Sequence, residues 1–125
     1  MTNTVLIVED DASTCALWTR HLEHRGVEVY AVSSAEEAET LLAIYQPNAI
    51  VLDIILKDDA TGWDLLAKLR ADSLTRELPV IVVSSVDDPR RAKREGANDF
   101  FTKPCPPDKL MNRIFQEFPN SGEMY

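Results

Sequence analysis

Val5-Leu6-Ile7-Val8 is a continuous apolar run, the pattern of a strand buried on both faces. Leu17, Trp18, His21, Leu22 and Arg25 then recur at helical spacing, and Gly26 supplies a left-handed stop. Val27 to Val32 predicts a second strand. Ser34 with Glu37 predicts a capping box opening a helix whose apolar stripe is Ala38, Leu41, Leu42 and Tyr45, with Pro47 ending it. Ile50-Val51-Leu52 predicts the third strand, and a loop from Lys57 to Gly62 leads into a helix carrying Leu65, Leu66 and Leu69. Pro79 introduces Val80-Ile81-Val82-Val83, the most strand-like tetrapeptide of the chain. Pro89 to Glu95 predicts a short helix closed by Gly96, and Phe100 to Thr102 a fifth strand. Pro106-Pro107 opens a last helix with Leu110, Met111, Ile114, Phe115 and Phe118 on one side.

Strands alternating with helices require crossover connections, so the prediction is an α/β protein: a doubly wound, five-stranded parallel sheet with five helices on its two faces. One domain over residues 1–119 is expected, with a frayed tail over 120–125. Lys plus Arg number 13 and Asp plus Glu 21, a formal charge of −8. That balance argues against nucleic acid or an anionic membrane as the main partner, since phosphate recognition needs a basic footprint. The one basic cluster, Arg90, Arg91, Lys93 and Arg94, is offset in sequence by Asp87, Asp88 and Glu95. Ala49 to Leu56, the best apolar stretch, is too short to cross a membrane and is broken by Asp53. Cys15 and Cys105 make neither a disulfide framework nor a zinc site. A soluble, cytoplasmic domain is expected.

In an open α/β sheet, ligands bind outside the carboxyl ends of the strands. Strand one ends in Glu9-Asp10-Asp11, strand three in Asp53, strand four in Ser84-Ser85 and strand five in Lys103-Pro104. Asp53 is the sharpest anomaly, a single acid in an apolar run. Burying it unpaired would cost several kcal/mol, and placing it beside Glu9 and Asp10 adds like-charge repulsion. A hard divalent cation, magnesium (Mg2+), resolves the conflict, because it takes carboxylate and carbonyl oxygens and accepts a phosphoryl oxygen. With Lys103 as a mobile positive charge and Ser84 as a hydroxyl donor, the set forms a socket for a phosphoryl group, with Asp53 as nucleophile. Any one acid at a strand end is more often a cap or a solvated loop residue; four strand ends carrying compatible chemistry favour the functional reading.

The motifs VLIVEDD, AIVLDIIL, PVIVVSS and GANDFFTKP resemble the receiver domain of two-component response regulators, the chemotaxis type included, from Val5 to about Phe118. The resemblance implies a flavodoxin-like sheet of strand order 2-1-3-4-5. It implies that Asp53 accepts a phosphoryl group from the phosphohistidine of a histidine kinase or histidine phosphotransfer protein. It further implies a self-catalysed reaction rather than conventional enzymatic turnover. Glu9 and Asp10 fall on the metal-holding acids, with Asp10 the direct ligand and Glu9 acting through water, and Ile55 would offer its backbone carbonyl. Ser84 falls on the switch hydroxyl, Lys103 on the phosphate-pairing lysine and Phe100 on the aromatic switch. The peptide bond before Pro104 is expected to be cis. The fourth helix, fifth strand and fifth helix would meet a downstream effector protein. Two departures stand out: Lys57 replaces a common proline, and the segment from Ser85 to Gly96 is short. Ile55 and Val86, both apolar beside the site, are expected to shield the phosphoryl group from water.

Two other classes remain open. An aspartate-nucleophile phosphohydrolase needs a second acid two residues after the nucleophile, where this chain has Ile55. A pseudo-receiver, a binding module that takes no phosphate, is countered by the complete set Glu9, Asp10, Asp53, Ser84 and Lys103. His21 and His24 lack a third metal ligand and read as a core-edge and a solvated residue. Trp18 reads as core, and Trp63 as packing with an exposed contact as the alternative.

Overall fold

The computed structural model describes residues 2–56 and 61–119. The Lys57 departure and the 120–125 tail therefore lie outside the described residues. The elements are β1 (Thr4–Val8), α1 (Ala12–His24), β2 (Glu28–Val32), α2 (Ala35–Leu42), β3 (Ala49–Leu52), α3 (Gly62–Ala71), β4 (Val80–Ser84), α4 (Pro89–Glu95), β5 (Asp99–Thr102) and α5 (Pro107–Phe115). All strand pairs are parallel, in the order β2-β1-β3-β4-β5, as expected. The unbroken apolar runs become the three inner strands: β1 is buried from Val5 onward, and β3 and β4 are buried throughout. β2, at an edge, keeps exposed positions.

Because side chains alternate across a strand, the sheet divides the core in two. Leu6, Val8, Ile50, Leu52, Val80 and Val82 pack with the leucines of α3 on one face. Val5, Ile7, Val51, Ile81 and Val83 pack with Trp18, Leu22, Leu110, Met111 and Ile114 from α1 and α5 on the other. Trp63 is buried, so it packs, and its ring lies under the Arg91 guanidinium at 4.7 Å. His21 is half-buried and His24 exposed, as read.

Caps set the helix starts. Asp11 accepts from the Thr14 N–H at 3.0 Å, and Ser34 accepts from the Glu37 N–H at 3.1 Å. The expected box at α2 closes differently: the Glu37 carboxylate reaches one residue further back, to the N–H and hydroxyl of Ser33 at 3.1 and 2.8 Å. A full box forms instead at α3, between Thr61 and Asp64. No helix of the described residues is long and apolar enough to cross a membrane.

Candidate functional site

β1 and β3 are neighbours in register, with Val8 opposite Leu52. Their next residues, Glu9 and Asp53, therefore leave the sheet side by side, and the Asp53 N–H is anchored to the Val8 carbonyl at 2.9 Å. Each of Glu9, Asp10 and Asp53 brings a carboxylate oxygen within 4.8 Å of the others'. Glu9 and Asp53 are buried, at 3% and 5% exposure, while Asp10 is half-exposed. Asp11, the third acid of the run, is turned away into the cap of α1.

The charge conflict foreseen at Asp53 is met from within the chain. Lys103 enters from the end of β5, where its N–H donates to the Ser84 carbonyl at 2.9 Å and its peptide bond to Pro104 is cis. Its ammonium donates to Glu9 Oε1 at 2.5 Å and to Asp53 Oδ2 at 3.1 Å. Burial alone would lower the Lys103 ammonium, but the bonds to Glu9 and Asp53 outweigh it and hold the group above its ordinary 10.5. Burial pushes the Glu9 carboxyl above its ordinary 4.5, against the pull of Lys103. The lysine thus stays charged where two acids converge. Trp18, read only as core, also lies under this ammonium, 5.8 Å from its ring centre.

Glu9 has both oxygens engaged, Oε1 by Lys103 and Oε2 by the Asp11 N–H at 3.1 Å. Asp10 makes no hydrogen bond or ion pair among the described residues. Hard oxygen donors in this number suit a hard divalent cation, and the one uncommitted carboxylate, Asp10, is the one expected to ligate directly. Ile55 lies at the site through its backbone, donating its N–H to Asp53 Oδ1 at 3.2 Å; its side chain is 53% exposed.

Ser84 is fully buried at the end of β4, and its hydroxyl oxygen accepts from the Val86 N–H at 3.2 Å. Phe100 on β5 is half-buried against the core that includes Ala92 of α4. The structure thus gathers Glu9, Asp10, Asp53 and Lys103, with Ile55 beside them and Ser84 joined through the Lys103 backbone. Phe100 sits on β5 opposite Val82, packed against the core that includes Ala92 of α4.

Gly62 belongs to the site, although its role could not be read from sequence. A Cβ there would lie 2.4 Å from the Asp53 carbonyl oxygen and 2.6 Å from the Ile54 Cα, and the Gly62 N–H donates to the Ile54 carbonyl at 2.8 Å. The start of α3 is thereby pressed against the backbone that carries Asp53. On the other side of the acids, an open groove of about 640 Å³ runs between α1 and the end of β2, past Ala12, Cys15, Ala16 and Ser33.

Residues 5–115 match the family model of the response regulator receiver domain. The chain is 35% identical over 107 residues to the regulatory protein LuxO of Vibrio vulnificus, an alignment covering 83% of this chain and 23% of that protein. To the phosphate regulon transcriptional regulatory protein PhoB of Pseudomonas aeruginosa it is 30% identical over 114 residues, covering 89% and 49%. The chain therefore spans about a quarter to a half of the length of these relatives. Among solved structures, a putative response regulator from Chloroflexus aurantiacus superposes with a TM-score of 0.88 at 29% identity, over 94% of this chain and 98% of that one. The signal receiver domain of a histidine kinase from Syntrophus aciditrophicus gives 0.87 at 28%, over 99% and 96%.

Proposed function

The chain belongs to the response regulator receiver domain family of two-component signalling, and from that premise we propose that Asp53 is its phosphoacceptor. An oxygen of the Asp53 carboxylate attacks the phosphorus of a phosphohistidine on a histidine kinase or phosphotransfer protein. The P–N bond breaks, an acyl phosphate forms, and the histidine leaves with the electron pair and takes a proton. Asp10, Asp53 and the Ile55 carbonyl, with Glu9 through water, are the residues that would hold magnesium. When bound, the ion neutralises charge on the transferring group.

The observation that carries this reading is the Lys103 ammonium 3.1 Å from Asp53 Oδ2 inside an acidic cluster. Such a cation is placed to exchange its carboxylate partners for phosphoryl oxygens. Ser84 is the second group proposed to follow them, by releasing the Val86 N–H. Space vacated there would let Phe100 turn, altering the α4–β5–α5 surface seen by an effector protein. Ile55 stands where a phosphohydrolase would need an acid, which supports a switch rather than turnover. The net charge of −8 favours protein over nucleic acid as the partner of these 125 residues; a cytoplasmic location accompanies the reading.

Intact-mass spectrometry after exposure to a small phosphodonor with magnesium tests the proposal. Wild type should gain one phosphoryl group and Asp53→Asn none. If wild type and variant stay equally unmodified with the donor and with phosphorylated histidine kinases, the chain is a pseudo-receiver.

A further inference from the structure

α4 places Arg90, Arg91, Lys93 and Arg94 within seven residues of a chain whose net charge is −8. Along the sequence Asp87, Asp88 and Glu95 offset them, but among the described residues neither aspartate forms an ion pair with these cations. Asp88 caps the helix, accepting from the Arg91 N–H at 3.2 Å. Asp87 accepts from the Thr102 hydroxyl at 3.2 Å. Among the described residues Arg90, Lys93 and Arg94 form no ion pair, and Glu95 joins none either.

The helix's own needs explain only part of this. Lys93 and Arg94 occupy its last turn, where cations suit the negative end of the dipole. Arg91 is used in packing over Trp63. Arg90 is in the first turn, at the positive end, where a cation is unfavourable, and among the described residues it has no ion-pair partner to compensate. Spacing of three and four residues puts Arg90, Lys93 and Arg94 on one helical face. Beside α4 lie the 42% exposed Val86 and the half-buried Phe100. Across β5, Lys109 sits 5.5 Å over the half-buried Phe101 ring, without an acidic partner among the described residues.

We infer that this face takes a short acidic segment of a partner protein, carboxylates set against Arg90, Lys93 and Arg94 and apolar side chains against Val86 and Phe100. Charge complementarity chooses the occupant. A long polyanion such as DNA would meet a chain that is anionic elsewhere, whereas a peptide of a few residues needs only the roughly 10 Å that a seven-residue helix offers. The inference deepens the effector-surface reading given above and rests on it.

The test uses a short glutamate-rich peptide carrying leucines, titrated by NMR and fluorescence anisotropy, with a lysine-rich peptide and a single-stranded oligonucleotide as comparisons. The acidic peptide should perturb amides of α4 and β5, and should bind about tenfold or more weakly to the triple variant R90Q/K93Q/R94Q. That variant should still take a phosphoryl group on Asp53 as wild type does. Equal binding by wild type and variant overturns the inference, as does tighter binding of the oligonucleotide. So does a dimer in sedimentation that the triple substitution dissolves, because the face would then belong to a second copy. The two readings fail separately: phosphorylation without peptide binding sinks only this one, and binding at α4 without phosphorylation sinks only the phosphoacceptor proposal.

Discussion

Glu9 and Asp53 share one ammonium, and removing it leaves two buried carboxylates facing each other. Lys103→Ala is expected to lower stability by about 2 kcal/mol, less than the roughly 3–5 kcal/mol of a fully buried pair because the lysine keeps some water contact. Urea unfolding without divalent ions reads that loss, and magnesium should shrink it more than it stabilises wild type; an unchanged midpoint would remove Lys103 from the electrostatics of the site. Gly62→Ala forces a methyl group against the Asp53 backbone. It should cost about 1–3 kcal/mol and slow phosphate incorporation, whereas Gly26→Ala, where the Cβ meets open space, should leave incorporation alone. Burial pushes both thiols, Cys15 and Cys105, above their ordinary 9.0. They are therefore protonated at neutral pH, and iodoacetamide should label them several-fold more slowly in native protein than in urea. Their folded values exceed the unfolded ones, so this contribution to stability is present below pH 9.0 and disappears as the pH rises through the folded values. The polar residues of the site were legible because each ends a strand, and parallel strands deliver their ends to one edge. Gly62 and Trp18 were not, since what each touches is set by chain that is remote in sequence or in turn geometry.

At the level of elements, the inner strands announced themselves as unbroken apolar runs because helices cover both of their faces, leaving no polar alternation to blur the pattern. β2 is an edge strand, and its start shifts by one residue from expectation, Val27 being buried ahead of the ladder. Arg70 left no such trace. From the end of α3 it donates to the carbonyls of Gly96 at 2.9 Å, Leu78 at 2.9 Å and Thr75 at 3.3 Å, and to the Asn98 side chain at 3.1 Å. These acceptors lie up to 28 residues away, beyond any local pattern. Its stem also fills the space a Cβ of Gly96 would need, at 3.2 Å. A seven-residue helix is marginal by itself, so α4 depends on this clamp. Arg70→Lys retains charge but loses the planar fork, and should cost about 2 kcal/mol while speeding amide exchange in α4 ahead of the rest. Exchange that quickens uniformly would mean that Arg70 supports the whole domain rather than one helix.

Across the whole molecule, strand order puts the acids near the middle of the sheet and the α4–β5 surface along one side of it. Treatment with a phosphodonor and magnesium should therefore alter hydrogen exchange between residues 84 and 103 and leave β2 and α2 as they were, with no change in Asp53→Asn. A response of equal size on the β2 side would contradict a switch routed through Ser84, Lys103 and Phe100. The sheet that separates the two cores has a further effect on how this domain tolerates change. Among the described residues, the cluster under α1 and α5 and the cluster under α3 have no member in common, so substitutions made on opposite sides should combine additively, within about 0.5 kcal/mol. One flank can accordingly be rebuilt, by selection or by design, without retuning the other.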